Sequence, residues 1–372
     1  MKIALDDQIF VQKHGGISRY FNQLAHGLID LEQEIAVFAP FYLNTNLSSL
    51  PENCVHGRYV KRYPPKLSRF FSFYNRYISR RQISKWRPDV VHETYYSRLG
   101  SSPKDCPTVI TVYDMIHEIF KNDFSKKDDT VAVKKIAIDR ADHIICISEN
   151  TKKDLVRLYN IDLNKITVVH LGFDQLIKID LEQTSENILQ NDKPFLLYVG
   201  GRWGYKNFSG FLRAVASSKR LLSDFDIISF GVSRFSMSEL NLIKSLGFAK
   251  NQVRQISGND ALLGQYYHAA RAFVYPSLYE GFGIPPLEAM AQNCPVISSN
   301  SSSMPEVIGT AAEFFDPSSH EDMRNAIERV VYSESRIVDL KKQGIERLNH
   351  FSWAQCTQKT LKVYRSLVGD IK

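Results

Sequence analysis

Several features are missing from this chain of 372 residues, and each absence excludes a class of protein. No apolar run approaches the ~18 residues that a membrane-spanning helix needs. The five cysteines, Cys54, Cys106, Cys146, Cys294 and Cys356, are odd in number, scattered and without Cys-x-x-Cys spacing. That argues against a disulfide framework or a zinc cluster and for a reducing compartment. Met1-Lys2-Ile3-Ala4-Leu5 is followed at once by Asp6-Asp7, too short an apolar stretch for a secretory leader, so the expected location is cytoplasmic. There is no Gly-x-Gly-x-x-Gly fingerprint, no short repeat and no low-complexity tract.

What is present is ordinary in bulk: 44% hydrophobic and 23% charged residues, in a length that suits two α/β domains. A formal charge of +7 favours an anionic partner, phosphates or a membrane surface, without selecting nucleic acid. Short apolar runs at 35–39, 90–92, 108–112, 143–147 and 166–169 alternate with helical patterns. A second set follows at 195–199, 226–230, 272–275 and 295–298, with another strand ending near Ile256. This alternation predicts parallel sheets covered by helices. The polar, aperiodic stretch 177–192 reads as a linker. The expected domains are 1–176 and 193–352, with 353–372 as a closing helix that Phe351-Ser352-Trp353 opens. Two Rossmann-like domains facing across a cleft would place ligand at the carboxyl ends of the strands.

The most informative stretch is Glu280-Gly-Phe-Gly-Ile-Pro-Pro-Leu-Glu288. A buried strand leads in and Leu287-Glu288-Ala289-Met290 continues as helix, with Pro286 suited to its first position. Gly281 and Gly283 let backbone approach a ligand, and the helix start suits a diphosphate. Two carboxylates beside an anion site make sense if they bind neutral hydroxyls, such as those of a ribose and a sugar. The bland alternative is a crossover with two solvated glutamates. Arg202 and Lys206, four apart after the glycine-ended strand Phe195-Leu-Leu-Tyr-Val-Gly-Gly, put cations where a leaving diphosphate needs them. A dinucleotide turn would want an acid at the end of the next strand, and Gly231 stands there instead. Asp224-Phe225-Asp226 spells a metal motif but precedes a strand, so it reads as a solvated turn and no essential metal is expected. Ser148 suits a helix N-cap.

Three further segments carry candidates. His14-Gly15-Gly16 opens a helix toward Ile29, either as a plain turn or as a ligand loop. His92-Glu93-Thr94 and Tyr113-Asp114-Met115-Ile116-His117 follow strands and should reach a cleft edge. Residues 61–88 hold nine Lys or Arg and no acid, with Phe70, Phe73, Tyr74 and Tyr77 interleaved. Composition alone reads 66–87 equally well as a helix in an anionic headgroup region or as a solvated crossover helix. No nucleic-acid motif accompanies it.

The paired glutamates, set in Tyr-Glu-Gly-Phe-Gly-Ile-Pro-Pro-Leu-Glu-Ala-Met, resemble the signature of glycosyltransferase family 4, retaining enzymes of the GT-B fold. The resemblance covers nearly the whole chain and is strongest from Phe195 to Glu306. It implies transfer of a hexose, mannose favoured, from a nucleotide-diphosphate sugar to a glycan hydroxyl, on a lipid-linked acceptor in surface-polysaccharide synthesis. By resemblance Glu280 meets the donor sugar, Glu288 the ribose, Arg202 and Lys206 the phosphates with Phe282, Gly283 and Ile284 backbone nearby, and Ile256 the base. Gly15 and Gly16 match the family's donor and acceptor loop. The family's His-Asp pair is Tyr113-Asp114 here, so Tyr113, Asp114 or His117 takes that contact. Resemblance also favours peripheral membrane docking through 66–87, and a final helix crossing back to the first domain. A UDP-hexose transferase, a GT-B epimerase and a non-catalytic binding protein are the rival readings.

Overall fold

The computed structural model describes residues 1–13, 15–64, 66–173 and 193–369. The chain divides into two compact units, Met1–Gly172 with Ser352–Lys372, and Phe173–Phe351. The linker expected at 177–192 lies outside the described residues.

The first unit is built on seven parallel strands: β1 (Lys2–Leu5), β2 (Glu34–Tyr42), β3 (Val55–Tyr59), β4 (Val90–Glu93), β5 (Thr108–Val112), β6 (His143–Cys146) and β7 (Ile166–Val168). Their order is β3-β2-β1-β4-β5-β6-β7. β4 and β5 are buried along their whole length, and β6 from Ile144 on, as parallel strands under helices must be. Two strands of this sheet lie outside the runs that the sequence marks. β1 is a four-residue run whose Ile3, Ala4 and Leu5 are fully buried. β3, Val-His-Gly-Arg-Tyr, is a half-exposed edge strand with no apolar run to announce it. Gly57 is required in it, because a Cβ there would run into the Ala39 carbonyl.

The second unit carries β8 (Phe195–Val199), β9 (Asp226–Phe230), β10 (Val253–Ile256), β11 (Ala272–Tyr275), β12 (Val296–Ser299) and β13 (Ala312–Phe315), all parallel, in the order β10-β9-β8-β11-β12-β13. Each sheet therefore reverses its winding once. The switch lies between β1 and β4 in the first unit and between β8 and β11 in the second. Helices diverge to opposite faces at such a point and leave a crevice at the carboxyl ends of the two strands.

Local signals account for several helix ends. Ser148 caps the Glu149–Tyr159 helix, its side chain accepting from the Thr151 N–H. Ser352 does the same for Trp353–Val368 through the Gln355 N–H. This last helix packs within the first unit, where the Tyr364 hydroxyl lies 2.6 Å from His92 Nδ1. Gly27 lets it sit close, since a Cβ there would strike Thr357. One helix start differs from expectation. The helix after the paired-glutamate turn runs Ile284–Ala291, so Pro286 is its third residue rather than its first. Gly283, at φ 101°, makes the turn that starts the helix earlier. Prolines are tolerated there because first-turn N–H groups have no partner within the helix.

Candidate active site

The second unit's crevice is made by the segments that leave β8 and β11, and the two are stitched together. Leu278 N–H donates to the Tyr205 carbonyl at 2.7 Å, and Asn207 Nδ2 donates to the Pro276 carbonyl at 3.1 Å. Between them Lys206 Nζ donates to both oxygens of Glu280, at 2.7 and 2.9 Å. Glu280 is only 7% exposed, so its charge is partly desolvated and the ammonium balances it. Its backbone is held from a third segment: its N–H donates to Ser302 Oγ at 2.9 Å, and Ser303 Oγ donates to the carbonyls of Glu280 and Phe282. The buried Tyr275 hydroxyl also bonds to Glu280. Burial first, and the Glu280 charge next, push that phenol well above its ordinary range.

Glu288 sits on the Ile284–Ala291 helix, partly exposed, and accepts from the Tyr267 hydroxyl at 3.3 Å. Phe282 is buried edge-on against Phe351, with ring centres 5.6 Å apart. Ile256 ends β10 half-buried, its carbonyl taken by the Gly231 N–H. The helix start is a poorer anion site than the sequence reading implies. Pro285 and Pro286 remove two N–H donors from the first turn, which leaves Ile284 and the glycine turn before it as the backbone donors.

Arg202 is engaged elsewhere. Its Nε donates to Glu239 Oε1 at 2.7 Å and its Nη2 to the carbonyls of Ser233 and Arg234 at 2.8 and 2.9 Å. The guanidinium lies 4.6 Å from the Phe235 ring centre. It therefore braces the loop after β9 against the capping box of Met237–Ser245, formed by Ser236 and Glu239. Burial opposes ionisation of Glu239, yet the Arg202 and Ser236 hydrogen bonds hold its carboxyl below the usual range.

In the first unit Gly16 opens the Gly16–Asp30 helix with its backbone bare: a Cβ there would meet nothing within 4 Å. Gly15 is the extended residue before it, its carbonyl accepting from Ser18 Oγ at 2.9 Å. Tyr113 follows β5, 7% exposed, with its hydroxyl buried and unbonded in this structure. Asp114 is half-buried, with Oδ1 accepting from the Ile116 N–H at 3.0 Å. His117 is held locally, stacked on Phe124 and 3.8 Å from Asp128 Oδ2.

The His92-Glu93-Thr94 segment does not reach a site edge as expected. His92 is fully buried between Tyr364 and Thr111, and burial pushes its pKa down to about 3, so it stays neutral. Glu93 pairs with Arg140, and Thr94 bonds to Asp6. These groups wire the first unit's switch point from within. Asp224 and Asp226 sit at the amino end of β9, paired with Tyr332 and Arg254 respectively. Among the described residues no three His, Cys, Asp or Glu side chains cluster as a metal site would.

The basic helix Ser68–Trp86 turns Phe70, Phe73 and Tyr77 outward, at 59%, 70% and 46% exposure. Phe71 instead packs on Tyr63 and Phe41, and Trp86 on Phe38. Beside its outer face lies a cavity of about 420 Å³ lined by Phe73, Arg76, Tyr77, Arg80, Arg81 and the 99–104 loop. Among the described residues no helix is long and apolar enough to cross a membrane.

Comparison with known proteins places this architecture. A family model described as Glycosyltransferase Family 4 matches residues 14–175, and one described as Glycosyl transferases group 1 matches 180–347. The O-antigen chain mannosyltransferase RfbU of Salmonella typhimurium is 31% identical over 59% of this chain and 60% of its own. The O-antigen chain mannosyltransferase B of Escherichia coli is 30% identical over 62% of each. These matches thus span about three fifths of those relatives. Sucrose-phosphate synthase of Thermosynechococcus elongatus shares the fold at a TM-score of 0.76 and 20% identity, over 99% of both chains. The chain belongs to the group 1 and family 4 glycosyltransferases and has their GT-B fold.

Proposed function

We propose that this protein moves a hexose, mannose favoured, from a nucleotide-diphosphate sugar to a glycan hydroxyl with retention and without a metal. The observation that carries the reading is the Lys206–Glu280 pair at the β8–β11 switch point, held from three segments. In this role Lys206 faces the diphosphate and neutralises charge as the bond from sugar carbon to phosphate oxygen breaks. Glu280 accepts hydrogen bonds from the sugar hydroxyls, Glu288 from the ribose, and Ile256 packs on the base. The acceptor oxygen bonds to the same face of the sugar carbon, and its proton passes to the departing phosphate oxygen. Phe282, Gly283 and Ile284 lend backbone contact to the donor; of the first unit's residues, Gly15 and Gly16 are candidates for substrate contact, with Asp114, or in its place Tyr113 or His117. Arg202 reaches the phosphates only on release from Glu239.

Mannose is favoured because two relatives, at 31% and 30% identity, carry that sugar in their names. GDP-mannose is the donor we assign, and a lipid-linked glycan is the acceptor. The outward Phe70, Phe73 and Tyr77 among arginines support docking on an anionic membrane face, which flotation with and without anionic lipid tests. Release of nucleoside diphosphate from GDP-mannose and UDP-glucose tests the chemistry. The expected result is turnover of the mannosyl donor, unchanged by EDTA and lost in Glu280→Ala. Wild-type turnover in that variant would refute the role of Glu280.

A further inference from the structure

The 113–119 turn after β5 is anchored by an unusual group. Lys134, on the Thr130–Arg140 helix, is 1% exposed at its side chain, and its partner Glu118 is 3% exposed. Lys134 Nζ donates to Glu118 Oε2 and to the Asp114 carbonyl, each at 2.9 Å, and lies 5.3 Å from the Tyr96 ring centre. The other Glu118 oxygen accepts from the Tyr159 hydroxyl at 2.7 Å. One buried ion pair thus joins the segments after β4 and β5 to two helices. Such a pair adds little net stability, since desolvating both charges offsets their attraction, and an apolar pair of like volume often serves as well. Its geometry is specific, however. The ammonium fixes the Asp114 peptide, and the Asp114 side chain is tied through Oδ1 to the Ile116 N–H.

We propose that the Lys134–Glu118 pair is a positioning device that holds the 113–119 turn, and with it the Asp114 carboxylate, in the geometry that transfer requires. The catalytic half of this inference rests on Asp114 contacting substrate, as proposed above. The positioning half does not.

The test compares wild type, Lys134→Met/Glu118→Leu and Asp114→Ala. The double variant removes both charges together, so neither is left buried alone, and Tyr159 keeps the Val131 carbonyl as an acceptor. Hydrogen exchange of the 113–119 amides and nucleoside-diphosphate release from GDP-mannose are measured alongside the melting temperature. The expected double variant melts near wild type while exchange within 113–119 rises about tenfold or more. Its kcat falls by about 100-fold with donor KM little changed, the pattern of a misplaced group rather than a lost binding contact. Wild-type exchange in the turn overturns the proposal. Raised exchange with wild-type kcat, while Asp114→Ala is inactive, overturns its catalytic half. Wild-type turnover in Asp114→Ala faults the assignment of Asp114 instead, and exchange alone then decides the positioning claim.

Discussion

Arg202 and Lys206 stand four residues apart on one segment, and the fold uses them oppositely. Lys206 points its ammonium at Glu280, both partly accessible, with side chains 19% and 9% exposed. The Arg202 side chain is 4% exposed and spends its donors on Glu239 and two carbonyls of the next loop. One cation is therefore placed where a ligand can compete for it, and the other is part of the wall. Spacing puts both on the same turn, but their partners, 74 and 37 residues away, decide what each can do.

The comparison can be broken by substitution. The largest effect is expected for Glu280→Gln and Lys206→Met, each lowering turnover by about 10²–10³-fold, as loss of one preorganised charged group does. Assay of nucleoside-diphosphate release checks this. Arg202→Met should act mainly on stability, costing about 2 kcal/mol, because Glu239 Oε1 and the Ser233 and Arg234 carbonyls lose the Arg202 donors. Thermal melting beside the same assay separates the two cations. Catalytic loss equal to that of Lys206→Met, with no drop in melting temperature, would erase the distinction.

Ser303→Ala removes the hydroxyl that bonds to the Glu280 and Phe282 carbonyls, and should cost about 1 kcal/mol of stability. With it goes part of the order of the glutamate turn, so kcat is expected to fall by about tenfold.

The smallest effect is a pH trend in the first unit. Burial raises the Asp7 carboxyl from 3.8 to about 7, against the pull of Arg76 at 3.4 Å. A raised carboxyl pKa gives stability that is complete below the unfolded value and lost as pH climbs through the folded one. Asp7→Asn should therefore gain on wild type in melting temperature as pH rises from 3.8 to about 7, the interval between the unfolded and folded values. A gap that stays flat with pH would contradict it.

Much of this architecture is legible in the order of residues alone. Apolar runs such as Thr108–Val112 and Phe195–Val199 are buried on both faces, so continuous hydrophobicity marks them along their full length. β3 and β13 escape because an edge position, or a Glu313 that pairs with Arg329, needs no apolar run. The glutamate pair and Lys206 are visible as a local pattern of residues and glycines. The contacts of Ser303 and Glu239 are not, since they arise from chain crossings 21 to 37 residues apart. His92 shows the reverse error, where a histidine at a strand end looks chemical and proves to be buried and neutral, bonded to the last helix.

The most direct test of the account is calorimetric titration of wild type and Lys206→Met with GDP and UDP in EDTA. The account predicts that wild type binds GDP, and that Lys206→Met binds it at least about tenfold more weakly, as loss of a charge-assisted contact implies. Binding of neither diphosphate, or equal affinity in the variant, would contradict it.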